Sequence, residues 1–185
     1  GDIVYREVPS PGGVFTRIAA SHIRIGTFEY FAARGDTDGL KSLIDYSIDR
    51  HYPEIKTEAN KSASKLNSTV LFLKNVIEVQ VSLVAKWMSL GFIHGVMNTD
   101  NMSISGETID YGPCAFMDRF NFTQVYSFID QNGRYSYKNQ RSILQWNLTR
   151  LAECLIPLFD SNDEKARESL NEELSTISES FKNEW

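Results

Sequence analysis

The sequence is poor in cysteine and in clustered positive charge. Two cysteines, Cys114 and Cys154, occur in 185 residues. They are too few for a disulfide scaffold, so we expect buried thiols in a reducing compartment. The net charge is −5 and no basic stretch is present. Phosphate backbones require concentrated lysine and arginine, so we expect no nucleic-acid partner.

Long uncharged apolar runs are also missing. The most apolar stretch, residues 70–88, contains two lysines and a glutamate, whereas a membrane-spanning helix needs about 20 nearly uncharged residues. No basic segment followed by an apolar one opens the chain, as a signal peptide would. We therefore expect no membrane partner. Because the first residue is Gly1 rather than methionine, the chain is expected to be a segment of a longer protein.

What is present is typical of one globular domain, with 42% hydrophobic and 23% charged residues. Residue spacing predicts a mainly α fold with short β-hairpins. Short strands are predicted at residues 3–8 and 14–19, around a turn at 9–13. Helices are predicted from Ser21 to Arg34 with Gly35 in a left-handed position, from Thr37 to before Pro53, over 66–90, from Lys138 to Leu155, and from a cap at Ser161 or Asn162 to the end.

The helix over residues 66–90 has apolar residues on two faces, which predicts a helix enclosed by other elements. Gly91 is expected to end it. Residues 91–113 then form an irregular stretch rich in glycine and asparagine. Two brief apolar pieces, at 103–104 and 108–109, indicate a loop that leads into a small hairpin.

The chemistry-bearing residues lie in that loop. Asp100 and Asp110 offer carboxylates and Asn101 offers an amide oxygen, which are hard ligands suited to Mg²⁺ or Mn²⁺. The sequence has no Cys-His cluster of the kind that binds zinc, so zinc is not expected. A chain reversal between Asn101 and Asp110 would bring two oxygen donors to one ion, as in phosphoryl- and nucleotidyl-transfer sites. The alternative is that these are turn residues whose side chains bond their own backbone.

The spacing is similar to that of protein kinases, in which a His-Arg-Asp-x-x-x-x-Asn loop precedes Asp-Phe-Gly. His94 and Asn101 are separated by the same interval, and Asp110-Tyr111-Gly112 resembles the second motif. One position departs from the pattern, because Val96 stands where kinases have the catalytic aspartate. Valine cannot accept a proton, so the metal ligands are present and the usual base is missing.

Residues 94–104 and 108–113 closely resemble the signature of the selenoprotein O family. Matching segments also occur at residues 4–7, 16–29, 133–137 and 146–148, so the resemblance extends from about residue 4 to 158. It implies a protein-kinase-like fold that binds ATP in a flipped orientation. The implied reaction is transfer of AMP to Ser, Thr or Tyr hydroxyls of protein substrates.

The resemblance also assigns roles to individual residues. Asp100 would be the proton acceptor, and Asn101 and Asp110 would hold the metal, with Asp110 thereby also contacting the nucleotide. Arg17 and Arg24 match two arginines that contact the phosphates of the inverted nucleotide. Taken without the resemblance, the two arginines would be surface ion pairs, and Asp100 would simply hydrogen-bond its loop.

By the same resemblance, residues 1–185 form one partial domain, the C-terminal lobe of the kinase-like fold. Residues 1–20 would be strands from the lobe junction, 21–90 and 138–185 helices, and 91–113 the catalytic and metal loops. The family's amino-terminal lobe and carboxy-terminal part would lie outside this chain, which alone should transfer little AMP. Phosphotransfer and a non-catalytic, pseudokinase binding role are the alternative functions. The expected location is the cytoplasm, since a bacterial member is favoured, with the mitochondrion as the alternative for a eukaryotic protein.

Overall fold

Helices dominate the computed structural model, which describes residues 2–5, 8–61, 68–159 and 164–184. The mainly α fold with short antiparallel strand pairs is thereby confirmed. The helices are α1 Ile25–Ala32, α2 Thr37–His51, α3 Glu54–Lys61, α4 Ser68–Ser89, α5 Gln140–Leu155 and α6 Glu164–Glu184. The strands are β1 Ile3–Tyr5, β2 Pro9–Pro11, β3 Phe92–Ile93 and β4 Ala115–Phe116, paired β1 with β2 and β3 with β4.

The long apolar helix α4 lies at the centre of the fold, as its two apolar faces predicted. It packs against α5 on one side and α6 on another. Gly91, with φ of 68°, follows its end in the left-handed conformation expected of a helix terminus. By length and composition α4 resembles a membrane-spanning helix, but 61% of its most apolar window is buried inside the protein. The position of α4 in the protein core accounts for its apolar composition. Leu66, part of the predicted stripe, lies outside the described residues.

Helices α5 and α6 complete the core around α4. The leucines of α5 that were predicted to share one face are all fully buried: Leu144, Leu148, Leu151 and Leu155. Helix α6 is amphipathic, because Leu170, Ile177 and Phe181 are buried while Glu168, Glu172 and Glu179 are exposed. Its predicted cap, Ser161 or Asn162, lies outside the described residues.

Both cysteines are free thiols, as their number predicted. Cys154 is buried in α5, and Cys114 is half-buried near β4. Burial raises the pKa of the Cys154 thiol to about 11, so this thiol stays protonated at neutral pH. It is therefore a core residue rather than a nucleophile.

Helix α1 begins at Ile25, so the prediction of a start at Ser21 is wrong. Residues 23–25 are instead paired with residues 102–104. The Ile25 amide donates to the Met102 carbonyl at 3.1 Å, and the Ile104 amide donates to the Ile23 carbonyl at 3.1 Å. This long-range pairing keeps the chain extended until residue 25. At the C-terminal end of α1 the prediction is confirmed, because Gly35 is left-handed, with a φ of 65°.

The predicted strand at residues 14–19 is also wrong. Strand β1 pairs instead with β2, which lies in the predicted turn, in a register that places Ile3 opposite Pro11. Residues 14–19 have no strand partner within the described chain, and Val14 and Ile18 are 99% and 92% exposed. β-branched side chains favour a strand only where a neighbour pairs with it. Residues 6–7 of the first predicted strand lie outside the described residues.

Two further differences concern short elements. The hairpin expected around residues 103–109 is reduced to a single antiparallel bridge between Met102 and Thr108. Helix α3 was not predicted, although it buries Ile55 completely. Elements this short carry too little periodicity for their extent to be predicted from the sequence.

The core role of α5 gives a direct stability test. Replacing fully buried Leu148 with alanine should lower the free energy of unfolding by about 2–5 kcal/mol, because it removes apolar contacts and leaves a cavity. Gln145→Ala, at an exposed position of the same helix, should change it by about 0.5 kcal/mol or less. Urea denaturation of both variants measures the difference. Similar values for the two would contradict the packing described.

Candidate functional site

The segment between β3 and β4 doubles back on itself, as the sequence predicted. Strand β3 pairs with β4, and Met102 is bridged to Thr108 in the antiparallel sense. This register places the segments that carry Asn101 and Asp110 beside each other. Gly95, near the start of the segment, has a φ of 85° that favours glycine. A Cβ atom there would also lie only 3.0 Å from the Pro113 ring.

Buried amide side chains hold this loop from the helical core. Gln140 on α5 is fully buried, and its Oε1 accepts from the His94 amide at 3.1 Å while its Nε2 donates to the Phe92 carbonyl at 3.0 Å. Asn147, two turns later, donates to the Met97 carbonyl at 2.8 Å. Gln80 on α4 donates to the Ser103 carbonyl. These side chains satisfy backbone groups that are shielded from water.

The anchoring role of these residues was not predicted from the sequence. The available signal was a carboxamide within the apolar face of a helix, as at Gln80 in α4. Such a residue must find hydrogen bonds when buried, so it indicates that irregular backbone lies against that face. Asn147 was noticed only as part of a family segment.

His94 connects the two sides of the reversed segment. Its Nε2–H donates to the Ile109 carbonyl at 2.8 Å, and its Nδ1 accepts from the Val96 amide at 3.3 Å. The ring stacks on Trp87 with centroids 5.3 Å apart. Burial lowers the pKa of His94, although the Ile109 carbonyl and the Asp110 charge act in the opposite direction. A neutral ring with both nitrogens engaged is suited to holding the loop in position.

Asp110, the residue after Ile109, occupies a strained backbone position. Its φ of 58° is the one positive value among the non-glycine residues that the structure describes. Aspartate is one of the few residue types that tolerate this region. Its Oδ1 lies 3.6 Å from Nη2 of Arg17. Strained positions often occur at functional sites.

Arg17 and Asp110 face each other across an open cleft of about 730 Å³. One wall is formed by residues 15–19 and the other by residues 107–112. Glu107 joins the walls, because its Oε2 accepts from the Ala20 amide at 2.8 Å. The extended segment 14–19, which pairs with no strand of the described chain, therefore contributes a cation to this cleft.

Asp100 and Arg24 form a second, more exposed pair. Nη2 of Arg24 lies 3.9 Å from Oδ1 of Asp100, and the Asp100 side chain is 65% exposed. Asp100 and Asn101 both belong to a 3-10 turn at Thr99–Asn101. Neither Arg24 nor Asp100 lines the cleft between Arg17 and Asp110. The predicted site residues therefore form two ion pairs on adjacent parts of one loop system.

Asn101 is oriented so that its amide oxygen is left for a ligand. Its Nδ2 donates to the Val96 carbonyl at 2.9 Å, and no donor to its Oδ1 is found in the described ranges. Within those ranges, too, no three His, Cys, Asp or Glu side chains are grouped to hold a metal. The Asn101 amide oxygen and the Asp110 carboxylate are the oxygen donors that could hold a cation here, and such an ion would need phosphate or water to complete its coordination. Such oxygen donors fit Mg²⁺ or Mn²⁺.

Comparison with known proteins gives a match over the entire chain. The sequence profile of the family described as protein adenylyltransferase SelO matches residues 1–185. Over the same 185 residues the chain is 55% identical to a protein nucleotidyltransferase YdiU of Agrobacterium fabrum and 52% identical to one of Bacillus cereus. The alignments cover 100% of this chain but 37% and 36% of those relatives. The chain thus spans little more than a third of their length.

The Gln140 anchor can be tested by removing its polar atoms. Gln140→Met keeps the approximate shape but leaves the His94 amide and the Phe92 carbonyl without partners. The free energy of unfolding should fall by about 1–3 kcal/mol for each unpaired group, and amide exchange in residues 92–97 should accelerate. Gln145→Met, exposed on the same helix, is the control. Equal stability of the two variants would rule out the anchoring role.

The buried His94 predicts a pH dependence of stability. Because burial lowers its pKa below the ordinary 6.5, the unfolded chain binds a proton that the folded chain resists. Stability should therefore be lost as the pH falls below about 6.5. His94→Gln keeps a donor for the Ile109 carbonyl but does not titrate, so its unfolding free energy should fall less between about pH 7 and about pH 5. Burial also lowers the pKa of His51. Because His51 is present in both proteins, its contribution cancels in the comparison. Equal slopes would refute the assignment.

Proposed function

Because the chain belongs to the protein adenylyltransferase SelO family, we propose that the protein containing it transfers AMP from ATP to Ser, Thr or Tyr hydroxyls of other proteins. We infer also that residues 1–185 form the kinase-like C-terminal lobe of that protein. The observation that carries the proposal is the pairing of Asp100 and Asp110, each with an arginine, on one reversed loop. Relatives that share the whole of this segment are named protein nucleotidyltransferases.

A divalent cation, Mg²⁺ or Mn²⁺, would be held by the Asn101 amide oxygen and the Asp110 carboxylate. When bound, such an ion neutralises charge on phosphate oxygens and on a leaving pyrophosphate. The fit rests on two donors, an amide oxygen that accepts no hydrogen bond from the residues the structure describes and a half-exposed carboxylate. The backbone around both is fixed by His94, whose ring bonds the Val96 amide and the Ile109 carbonyl.

The arginines would bind the phosphates of the nucleotide. In the Arg17–Asp110 pair the side chains are 39% and 45% exposed, and an exposed ion pair is worth about 1 kcal/mol or less. The guanidinium can therefore exchange its carboxylate partner for a phosphate at little cost. A planar guanidinium forms two parallel hydrogen bonds to such a group. Arg24, paired with Asp100 at 3.9 Å, would act in the same way.

Asp100 would accept the proton of the attacking hydroxyl. Its carboxylate is exposed and can be approached by a protein side chain, while Val96 offers no proton-accepting group. The hydroxyl oxygen forms a bond to the α-phosphorus as its proton passes to the Asp100 carboxylate. The bond between the α-phosphorus and the bridging oxygen breaks, and pyrophosphate leaves. Positioned bases of this kind contribute about 10²- to 10⁴-fold.

The experiment compares ATP labelled at the α- or γ-phosphate, using a protein of the relatives' full length that carries this chain. AMP transfer predicts labelling of protein from α-labelled ATP alone. Asp100→Ala, Asn101→Ala and Asp110→Ala should each reduce labelling by about 100-fold or more. Asp118→Ala, which alters an exposed carboxylate outside the cleft, is the matched control and should leave labelling unchanged.

Other outcomes point to other functions. Labelling from γ-labelled ATP would identify a phosphotransferase. ATP binding without any transfer would identify a non-catalytic binding module. Full activity of Asp110→Ala would mean that the metal site is wrongly assigned. The 185-residue chain alone should label poorly beside the full-length protein, because the resemblance places further nucleotide contacts outside it.

A further inference from the structure

The first turn of α1 lies directly against the turn that carries Asp100. The Ile25 amide donates to the Met102 carbonyl at 3.1 Å, and Arg24 is bridged to Ser103. Farther along α1, Glu29 accepts a hydrogen bond from the Thr99 hydroxyl. The helix thus contacts the residue before Asp100 and the residues just after Asn101.

Gly26 provides the space into which the Asp100 carboxylate fits. A Cβ atom at residue 26 would lie 2.4 Å from Asp100 Oδ1 and 3.0 Å from its Cγ, distances that would force the carboxylate to move. The φ of Gly26 is not positive, so the backbone does not require glycine here. Glycine weakens a helix relative to alanine. The methyl group of an alanine at residue 26 would therefore occupy the space that the Asp100 carboxylate fills.

The hydrogen bond between Thr99 and Glu29 holds the same turn one helical turn farther along α1. Gly26 and Glu29 are three residues apart on α1 and so lie on one helix face. The first leaves room for Asp100, and the second holds the adjacent Thr99 through its hydroxyl. Arg24, at the start of the helix, lies 3.9 Å from the same carboxylate. Gly26 and Arg24 therefore lie against the Asp100 side chain itself, and Glu29 holds the residue before it.

We propose that Gly26, together with the Thr99–Glu29 hydrogen bond, positions the Asp100 carboxylate for proton transfer. The proposal rests on the proposed function, in which Asp100 is the proton acceptor. Gly26, Thr99 and Glu29 are positioning residues, because they act through Asp100 and not on the nucleotide. A displacement of about 1 Å in a reacting group can lower a rate by about 100-fold.

The test uses the full-length protein with α-labelled ATP and measures kcat and the KM for ATP separately. Gly26→Ala should lower kcat by about 10- to 100-fold, leave KM within about twofold, and not lower the unfolding temperature. Gly13→Ala is the matched control, since a Cβ atom at Gly13 meets nothing within 4 Å. Wild-type kcat in Gly26→Ala would overturn the proposal.

A second comparison distinguishes this inference from the proposed function itself. In an Asp100→Ala background there is no carboxylate to displace, so Gly26→Ala should cause no additional loss of residual transfer. An equal loss in both backgrounds would overturn the positioning role while leaving the function intact. Full activity of Asp100→Ala alone would instead refute the proposed role of Asp100.

The threonine provides an independent measurement should Gly26→Ala fail to fold. Thr99→Ser keeps the hydroxyl that donates to Glu29, and Thr99→Val removes it at nearly constant volume. The serine variant should retain kcat within about threefold, and the valine variant should lose about 10-fold or more, with KM for ATP unchanged in both. Equal kcat for the two variants would overturn the proposal.

Discussion

The candidate site depends on hydrogen bonds between side chains of the helical core and the backbone of an irregular loop. Residues 94–104 form an irregular segment with a single 3-10 turn at Thr99–Asn101, and its buried backbone groups must find partners. Gln80, Gln140 and Asn147 provide them from α4 and α5. Each amide replaces an apolar side chain in a tightly packed core, which is favourable only while its loop partner stays in place. Loop position and core packing are therefore coupled.

The loop has a buried side, which contacts the core, and an exposed side, which carries the charged groups. His94, Met97 and Met102 are buried and fix the loop against the core, whereas the Asp100 and Asp110 carboxylates are exposed on its outer side and contact arginines at 3.6–3.9 Å. Exposed ion pairs contribute little to stability, so these charges can change partners without disturbing the fold. A nucleotide site needs both properties, since ligands must be prearranged while charged groups must remain available.

The sequence predicted well those features that depend on local periodicity. Helices α2, α4 and α5 carry enough apolar repeats to fix their extents and buried faces. The start of α1 was predicted wrongly, because Ile23 and Ile25 bond Ile104 and Met102, about 80 residues away. Candidate ligands could be named from residue type and from the family resemblance. Their grouping into an Arg17–Asp110 and an Arg24–Asp100 pair required the tertiary fold, and the kinase-like architecture remains a prediction.

Asp110 combines two requirements that a sequence alone does not separate. Its carboxylate is the proposed metal ligand, and its backbone, with φ of 58°, adopts a conformation that few residues other than glycine, asparagine and aspartate tolerate. The His94 ring bonds the carbonyl of Ile109, the residue before it, at 2.8 Å, so the strain is held by a buried neighbour that is itself fixed by Gln140. The core amides thus influence the direction of the Asp110 carboxylate, which they do not touch, through the backbone that precedes it. The Asp100 carboxylate differs, because α1 lies directly against it at Gly26.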